Sequence, residues 1–486
     1  MSNDSRRNHK LVQSLAAAKL LPPHVLFGAA TSATQIEGAW NQDGRGPTIW
    51  DRFLHVQGGP HSGDTADITC DHYNRVDEDV ELMRKLGLDA YRFSIAWSRI
   101  FPTGRGQLNT AGLDFYDRLV DKLLAAGIQP FPTLYHWDLP AALQDDFCGW
   151  LGRETTQHFA DYASAVVRRL GDRVKNWTTF NEPEVIIAGT TGGGMAPGLN
   201  RGDLGFHTGH HLMVAHGMAA QAIRAAGQAD TKVGIVLNFN VMDPADGSEA
   251  AARRARLNYV RAYRWYLDGL LNGQYPEEVA CELRKAPKLP ANCSRRRATD
   301  WVRGTDMKLV SQPLDFLGLN YYTRFVFDGD GKFVEEPGHV RTQMGWQVYP
   351  VGLTRLLEEF RRTYTNLPPV YVTENGAAFD DTLTGKGKAQ GRIHDETRTQ
   401  FLADHMVALA AAVMSGVDVR GYFAWSLMDN LEWPLGFAKT FGLVHVDRRA
   451  GKTFLRRTIK DSGRFYARFI AAHKRTRRTA TSGASQ

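Results

Sequence analysis

A single phrase recurs along the chain: apolar side chains at three- and four-residue spacing, a glycine, then a short apolar run ending in polar residues. Val76, Val80, Met83 and Leu86 precede Gly87 and the run 90–97; Leu119, Leu123 and Leu124 precede Gly127 and the run 129–135. Phe159, Ala163, Val166, Val167 and Leu170 precede Gly171 and 176–180, and Met406, Leu409 and Val413 precede Gly416 and 420–425. The spacing predicts amphipathic helices closed by glycine and followed by buried strands. Four further apolar runs, at 26–30, 233–238, 316–320 and 370–373, bring the predicted strands to eight. Strands alternating with helices imply a parallel sheet, and eight such units over this length predict an α/β fold of the closed (β/α)8 TIM-barrel type. The structural rival is an open doubly wound sheet. Its glycine-rich GxGxxG turn does not follow the first strand.

Composition adds little to this picture, but charge narrows the partners. A chain of 486 residues that is 43% hydrophobic can bury a large core. The reading is a single barrel domain over residues 21–472, a flexible N-terminal segment 1–20 and a disordered basic, Ser-containing tail 473–486. Of the net charge of +7, Lys474, Arg475, Arg477 and Arg478 supply four units, and Arg6, Arg7 and Lys10 less Asp4 supply two. The body is thus nearly neutral, which argues against a nucleic-acid partner. No run of 18 apolar residues occurs, so no membrane span is expected. The residues 11–18, after Arg6, Arg7 and Lys10, resemble a short signal peptide, but Gln13, Ser14 and Lys19 break the pattern, and a cytoplasmic location is expected. Cys70, Cys148, Cys281 and Cys293 form no CxxC, so reduced thiols and no metal or cofactor are expected.

The polar ends of the predicted strands carry the candidate chemistry, because a barrel of this kind builds its site there. They hold Gln35 and Glu37; Arg92; His136, Trp137 and Asp138; Asn181 and Glu182; Asn238; Asn320, Tyr321 and Tyr322; Glu374 and Asn375; and Trp425. Carboxylates and amides pair with hydroxyls, and aromatic planes pack on the C–H faces of a sugar. Phosphate would call for Lys, Arg and glycine nests instead. Glycoside hydrolysis needs two carboxyl groups, and Glu182 and Glu374 end the fourth and seventh strands. Either glutamate alone could equally be a surface or helix-terminal charge.

At these residues the chain resembles family one of the glycoside hydrolases, the β-glucosidase family, over nearly all of positions 20–470. The resemblance rests on FGAATSATQIEG (27–38), YRFSIAWSRI (91–100), YHWDLP (135–140), TFNEP (179–183), NYYT (320–323), VTENG (372–376) and WSLMDNLEW (425–433). It implies a retaining enzyme that releases terminal β-D-glucose from cellobiose and other β-glucosides, with Glu182 as acid/base and Glu374 as nucleophile. Arg92 and Tyr322 would hold the nucleophile, with Asn320 in support, and Asn181 would bond the sugar 2-OH. Gln35, His136, Glu432 and Trp433 would bind the other hydroxyls, Trp425 would form the stacking floor and Trp346 the aglycone platform. A cation beside Glu374 is expected to lower its pKa, while Glu182 is raised. Glu184, Cys148 and Phe465 depart from the family pattern, and Glu184 puts the aglycone side in doubt.

Rival readings remain at this point. A 6-phospho-β-glycosidase would replace Glu432 by Ser; here Glu432 is present, position 441 is Phe, and Lys439 is common to both groups. A thioglucosidase would lack Glu182. An inactive glycan-binding barrel keeps the fold without the chemistry. Glucoside against galactoside or fucoside stays open, since Gln35 and Glu432 can bridge O4 in either configuration, and so does a homo-oligomeric state.

Overall fold

The computed structural model describes residues 11–285, 301–384, 392–449, 451 and 454–483; the charges on residues 1–10 and Cys293 lie outside them. Eight parallel strands close into a barrel: β1 Leu26–Ala30, β2 Ala90–Ser94, β3 Gln129–Tyr135, β4 Asn176–Asn181, β5 Lys232–Asn238, β6 Phe316–Asn320, β7 Val370–Asn375 and β8 Val419–Trp425. Each pairs with the next in chain order, and β8 returns to β1 with Trp425 opposite Ala30. Closure leaves the barrel sheet no free edge, and the open doubly wound alternative is excluded.

All eight predicted strands are present, and the differences lie at their ends. β2 stops at Ser94 because the chain turns at Ala96 into the helix Trp97–Ile100. β7 continues to Asn375, which sets Glu374 beside Asn320 of β6. The helix Val76–Leu86 buries its predicted stripe and ends at Gly87 with φ 72°, a conformation glycine adopts without a Cβ clash. Gly171 stays right-handed at φ −71°, so the same sequence signal there does not mark a left-handed cap.

The core has two parts. Between strands and helices lies the large apolar layer. Inside the barrel, Ala30, Ala90, Phe131 and Phe423 pack in a separate cluster with Tyr322 and Trp425 above them, and the Phe131 and Phe423 rings meet at 5.2 Å. This plug makes the barrel a packed solid with a site only at its carboxyl-terminal mouth.

Three expectations change. The tail is not loose from residue 473: one helix, Asp461–Gly483, runs through it. His473 is buried against the Ala18 carbonyl, Lys474 Nζ reaches the Gly87 carbonyl at 2.8 Å, and Arg477 pairs with Asp89 at 3.1 Å. Residues 11–17 are likewise helical, with Ser14, Ala17 and Ala18 buried. Charge misled the reading because these cations find partners on the underside of the barrel. Thirdly, Cys148 is disulfide-bonded, whereas Cys70 and Cys281 are free thiols. The Cys148 backbone is left-handed, φ 57°, a conformation that favours glycine.

Candidate active site

The two glutamates arrive at the barrel mouth by different backbone routes. Glu374 is the penultimate residue of β7 and enters as a regular strand residue. Glu182 follows β4 in a left-handed conformation, φ 51°, and caps the helix Pro183–Thr191. The close packing of the mouth demands a glycine at 376: a Cβ there would lie 1.7 Å from the Trp425 carbonyl oxygen.

A continuous network binds these groups. Arg92, buried on β2, donates from Nη1 to Glu374 Oε1 at 2.5 Å and from Nη2 to Asn181 Oδ1 at 2.7 Å. Tyr322 donates its hydroxyl to Glu374 Oε2 at 2.6 Å. Thr373 Oγ1 donates to Asn320 Oδ1 at 2.8 Å, which turns the Asn320 amide nitrogen towards Glu182 Oε1 at 2.8 Å and Asn181 Oδ1 at 3.1 Å. Because Arg92 can only donate, Asn181 must present its oxygen to it and its NH2 to His136 Nε2, 3.1 Å away. His136 Nε2 is then an acceptor, and the ring proton sits on Nδ1, which has no protein partner. Burial holds this imidazole well below its ordinary pKa, so it is neutral.

The carboxyls titrate as a pair. Burial lifts Glu182 well above the usual carboxylate range, and the Glu374 and Glu184 charges push the same way. For Glu374 the sequence expectation needs correction: burial also raises it, although the Arg92 charge and the Tyr322 and Arg92 hydrogen bonds pull it down. The cation therefore decides the order of ionisation rather than the net direction. The first proton leaves Glu374.

The other predicted site residues converge on the same cavity. Trp425 and Trp433 both lie parallel to the His136 ring, at 5.9 Å. Trp346 is half-buried over Tyr322 at 5.2 Å and near Phe441 at 6.2 Å. Glu432 is half-buried, and burial with the nearby Glu374 charge pushes it up to about 8. Gln35 Nε2 donates to Asn430 Oδ1 at 3.1 Å and to the Leu431 carbonyl at 2.7 Å, so it joins the first loop to the last. Thr373 went unseen in the sequence because only strand register shows which way it points. Trp137, which donates to the Asn181 carbonyl at 3.0 Å, was visible beside His136.

Among the described residues one group could ligate a metal, Asp381, Asp429 and His445. The Lys460 ammonium already bonds both aspartates at 2.6 Å, so a cation is in place there. No helix among the described residues is long and apolar enough to cross a membrane.

A (β/α)8 barrel with two buried carboxylic acids, amides and aromatic planes at its mouth defines a glycoside hydrolase. The chain belongs to glycosyl hydrolase family 1, whose model matches residues 17–475. It is 42% identical over 460 residues to β-glucosidase A of Thermotoga maritima, covering 93% of this chain and 98% of that one. It is 41% identical over 478 residues to a bifunctional β-D-glucosidase/β-D-fucosidase of Bifidobacterium breve, covering 93% and 99%. Among solved structures, the psychrophilic β-glucosidase of Micrococcus antarcticus superposes with a TM-score of 0.86 at 40% identity, covering 94% and 99%.

Proposed function

We propose that this glycoside hydrolase is a retaining β-glucosidase that releases terminal β-D-glucose from cello-oligosaccharides and from aryl or alkyl β-glucosides. Glu374 attacks the anomeric carbon and forms a glycosyl-enzyme; Glu182 protonates the leaving oxygen and then removes a proton from the incoming water. The observation that carries this assignment is the unequal support of the two carboxyls. Glu374 is held by a guanidinium and a phenol, both donors to its ionised form, while among the described residues Glu182 receives a single side-chain bond, from an amide N–H. Once Glu374 is esterified its charge is gone, one cause of the high Glu182 pKa disappears, and Glu182 can serve as base.

Asn181 and neutral His136 are assigned to sugar hydroxyls, Glu432, Gln35 and Trp433 to the far side of the ring, Trp425 to its apolar face and Trp346 to the aglycone. Glu432 supports an unphosphorylated sugar, because an acidic side chain bonds hydroxyls and supplies no cation to a 6-phosphate. Action on β-fucosides and β-galactosides is part of the proposal, and the bifunctional β-D-glucosidase/β-D-fucosidase relative supports the former. A cytoplasmic location is part of the proposal. Thiol titration of native protein isolated without reductant checks it, since a persistent Cys148 disulfide would favour an oxidising compartment.

Azide separates the two roles. Glu182→Ala should still form the glycosyl-enzyme from a dinitrophenyl β-glucoside and yield β-glucosyl azide, because azide needs no general base. Glu374→Ala should yield the α-azide. Exchanged products would exchange the roles, and wild-type rates in both variants would move the site elsewhere.

A further inference from the structure

We propose that Glu184 is a positioning residue for Glu182: its carboxylate ties the first turn of the helix after β4 to the end of β5, and so fixes the left-handed backbone from which Glu182 reaches the cavity. This rests on the assignment of Glu182 as acid/base. The need for such a tie is visible in the sheet. β4 and β5 run in register from Asn176 opposite Lys232 to Thr178 opposite Gly234, then slip, so that Asn181 faces Val236. Beyond the slip the regular ladder ends, and two bonds replace it. The Glu182 N–H donates to the Val236 carbonyl at 2.9 Å, and the Asn238 N–H donates to Glu184 Oε1. The anchors flank the positive-φ residue on both sides. A non-glycine residue at φ 51° persists only where its surroundings hold it.

The tie continues away from the carboxyls. Asn238 Oδ1 accepts from Asn240 Nδ2 at 2.9 Å, Asn240 Oδ1 accepts from the Thr323 N–H at 3.1 Å, and Thr323 Oγ1 donates to the Gln347 carbonyl at 2.9 Å, next to Trp346. Glu184 thus belongs to the frame that spaces the acid/base from the aglycone platform. Its other oxygen, Oε2, is enclosed and has no partner among the described residues. The titratable groups around it are Glu182 on its own segment and the phenols of Tyr263 and Tyr266. Burial pushes Glu184 up to about 8, and its ionised form raises Glu182.

Two variants test this. Glu184→Gln keeps an acceptor for Asn238 but cannot ionise; Glu184→Met keeps the length and loses the acceptor. With Glu184→Gln the acceptor for Asn238 is kept, so kcat/KM on an alkyl β-glucoside should stay within about threefold of wild type. With Glu184→Met, kcat/KM on an alkyl β-glucoside should fall at least about tenfold, while glycosylation by the dinitrophenyl glucoside stays within about threefold, the pattern of a misplaced acid. Equal losses on both substrates in Glu184→Met, or a loss in Glu184→Gln as large as in Glu184→Met, would overturn the proposal. If Glu184→Met does not fold, Glu184→Leu, a second variant without the acceptor, is read in the same way. Azide rescue of Glu182→Ala is run alongside. Its failure would remove the acid/base assignment, whereas its success with wild-type behaviour in both Glu184 variants would remove only the positioning role.

Discussion

Tyr322→Phe removes one hydroxyl and leaves the ring, which keeps its packing against Trp346 at 5.2 Å. The hydroxyl donates to Glu374 Oε2 at 2.6 Å in a buried site, so what is lost is a hydrogen bond to a group that must be ionised to attack. Such a bond is worth about 1.5–3 kcal/mol. At about 1.4 kcal/mol per factor of ten, kcat/KM should fall roughly 10- to 150-fold if the bond persists as charge moves off Glu374, and less if the transition state has already released it. The sign of the pH effect is fixed. The phenol favours the ionised carboxyl, so its loss raises Glu374 further, and the acidic limb of kcat/KM moves to higher pH. The deficit is therefore largest at low pH and shrinks as pH rises towards the basic limb. The assay is kcat/KM for 4-nitrophenyl β-glucoside across the pH range, with thermal unfolding as a check that the barrel is intact. An acidic limb left in place, with kcat/KM within about twofold of wild type, would refute the view that this contact holds the nucleophile ionised.

Gly376→Ala should be severely destabilised and inactive, because its Cβ would meet the Trp425 carbonyl oxygen at 1.7 Å; soluble protein with normal kcat would show that the β7 and β8 ends can separate freely. Asp89→Ala should cost about 1–2 kcal/mol in denaturant unfolding, since it leaves the Phe27 N–H without its acceptor and removes one of the partners of Lys474 and Arg477, which keep the Gly87 and Val25 carbonyls; a loss under about 0.5 kcal/mol would mean that this carboxylate adds nothing to the docking of the C-terminal helix. Activity should survive EDTA, because Lys460 already neutralises the Asp381 and Asp429 carboxylates; loss restored by a divalent ion would reveal a metal requirement.

The sequence alone determined the eight strands and the cluster of chemistry at their polar ends, because burial periodicity is local and a barrel strand must be apolar until it reaches the mouth. It marked Glu182, Glu374, Arg92 and Tyr322 as candidates, and it flagged Glu184 and Cys148 as unusual. Only the tertiary structure decided what those residues do to one another. That Asn181 turns its oxygen to Arg92 and its nitrogen to His136, and hence which ring nitrogen carries the proton, depends on contacts between residues 45 to 89 positions apart. The same holds for the net effect on Glu374: a cation next to a carboxylate reads as a lowered pKa, until the depth of burial around the pair is known. The basic tail misled for a related reason. A run of charges looks like a solvated end until Asp89, some 388 residues away in sequence, is seen beneath it. Local pattern sets where elements form, whereas electrostatics and partner choice are set by distances through space between segments remote along the chain.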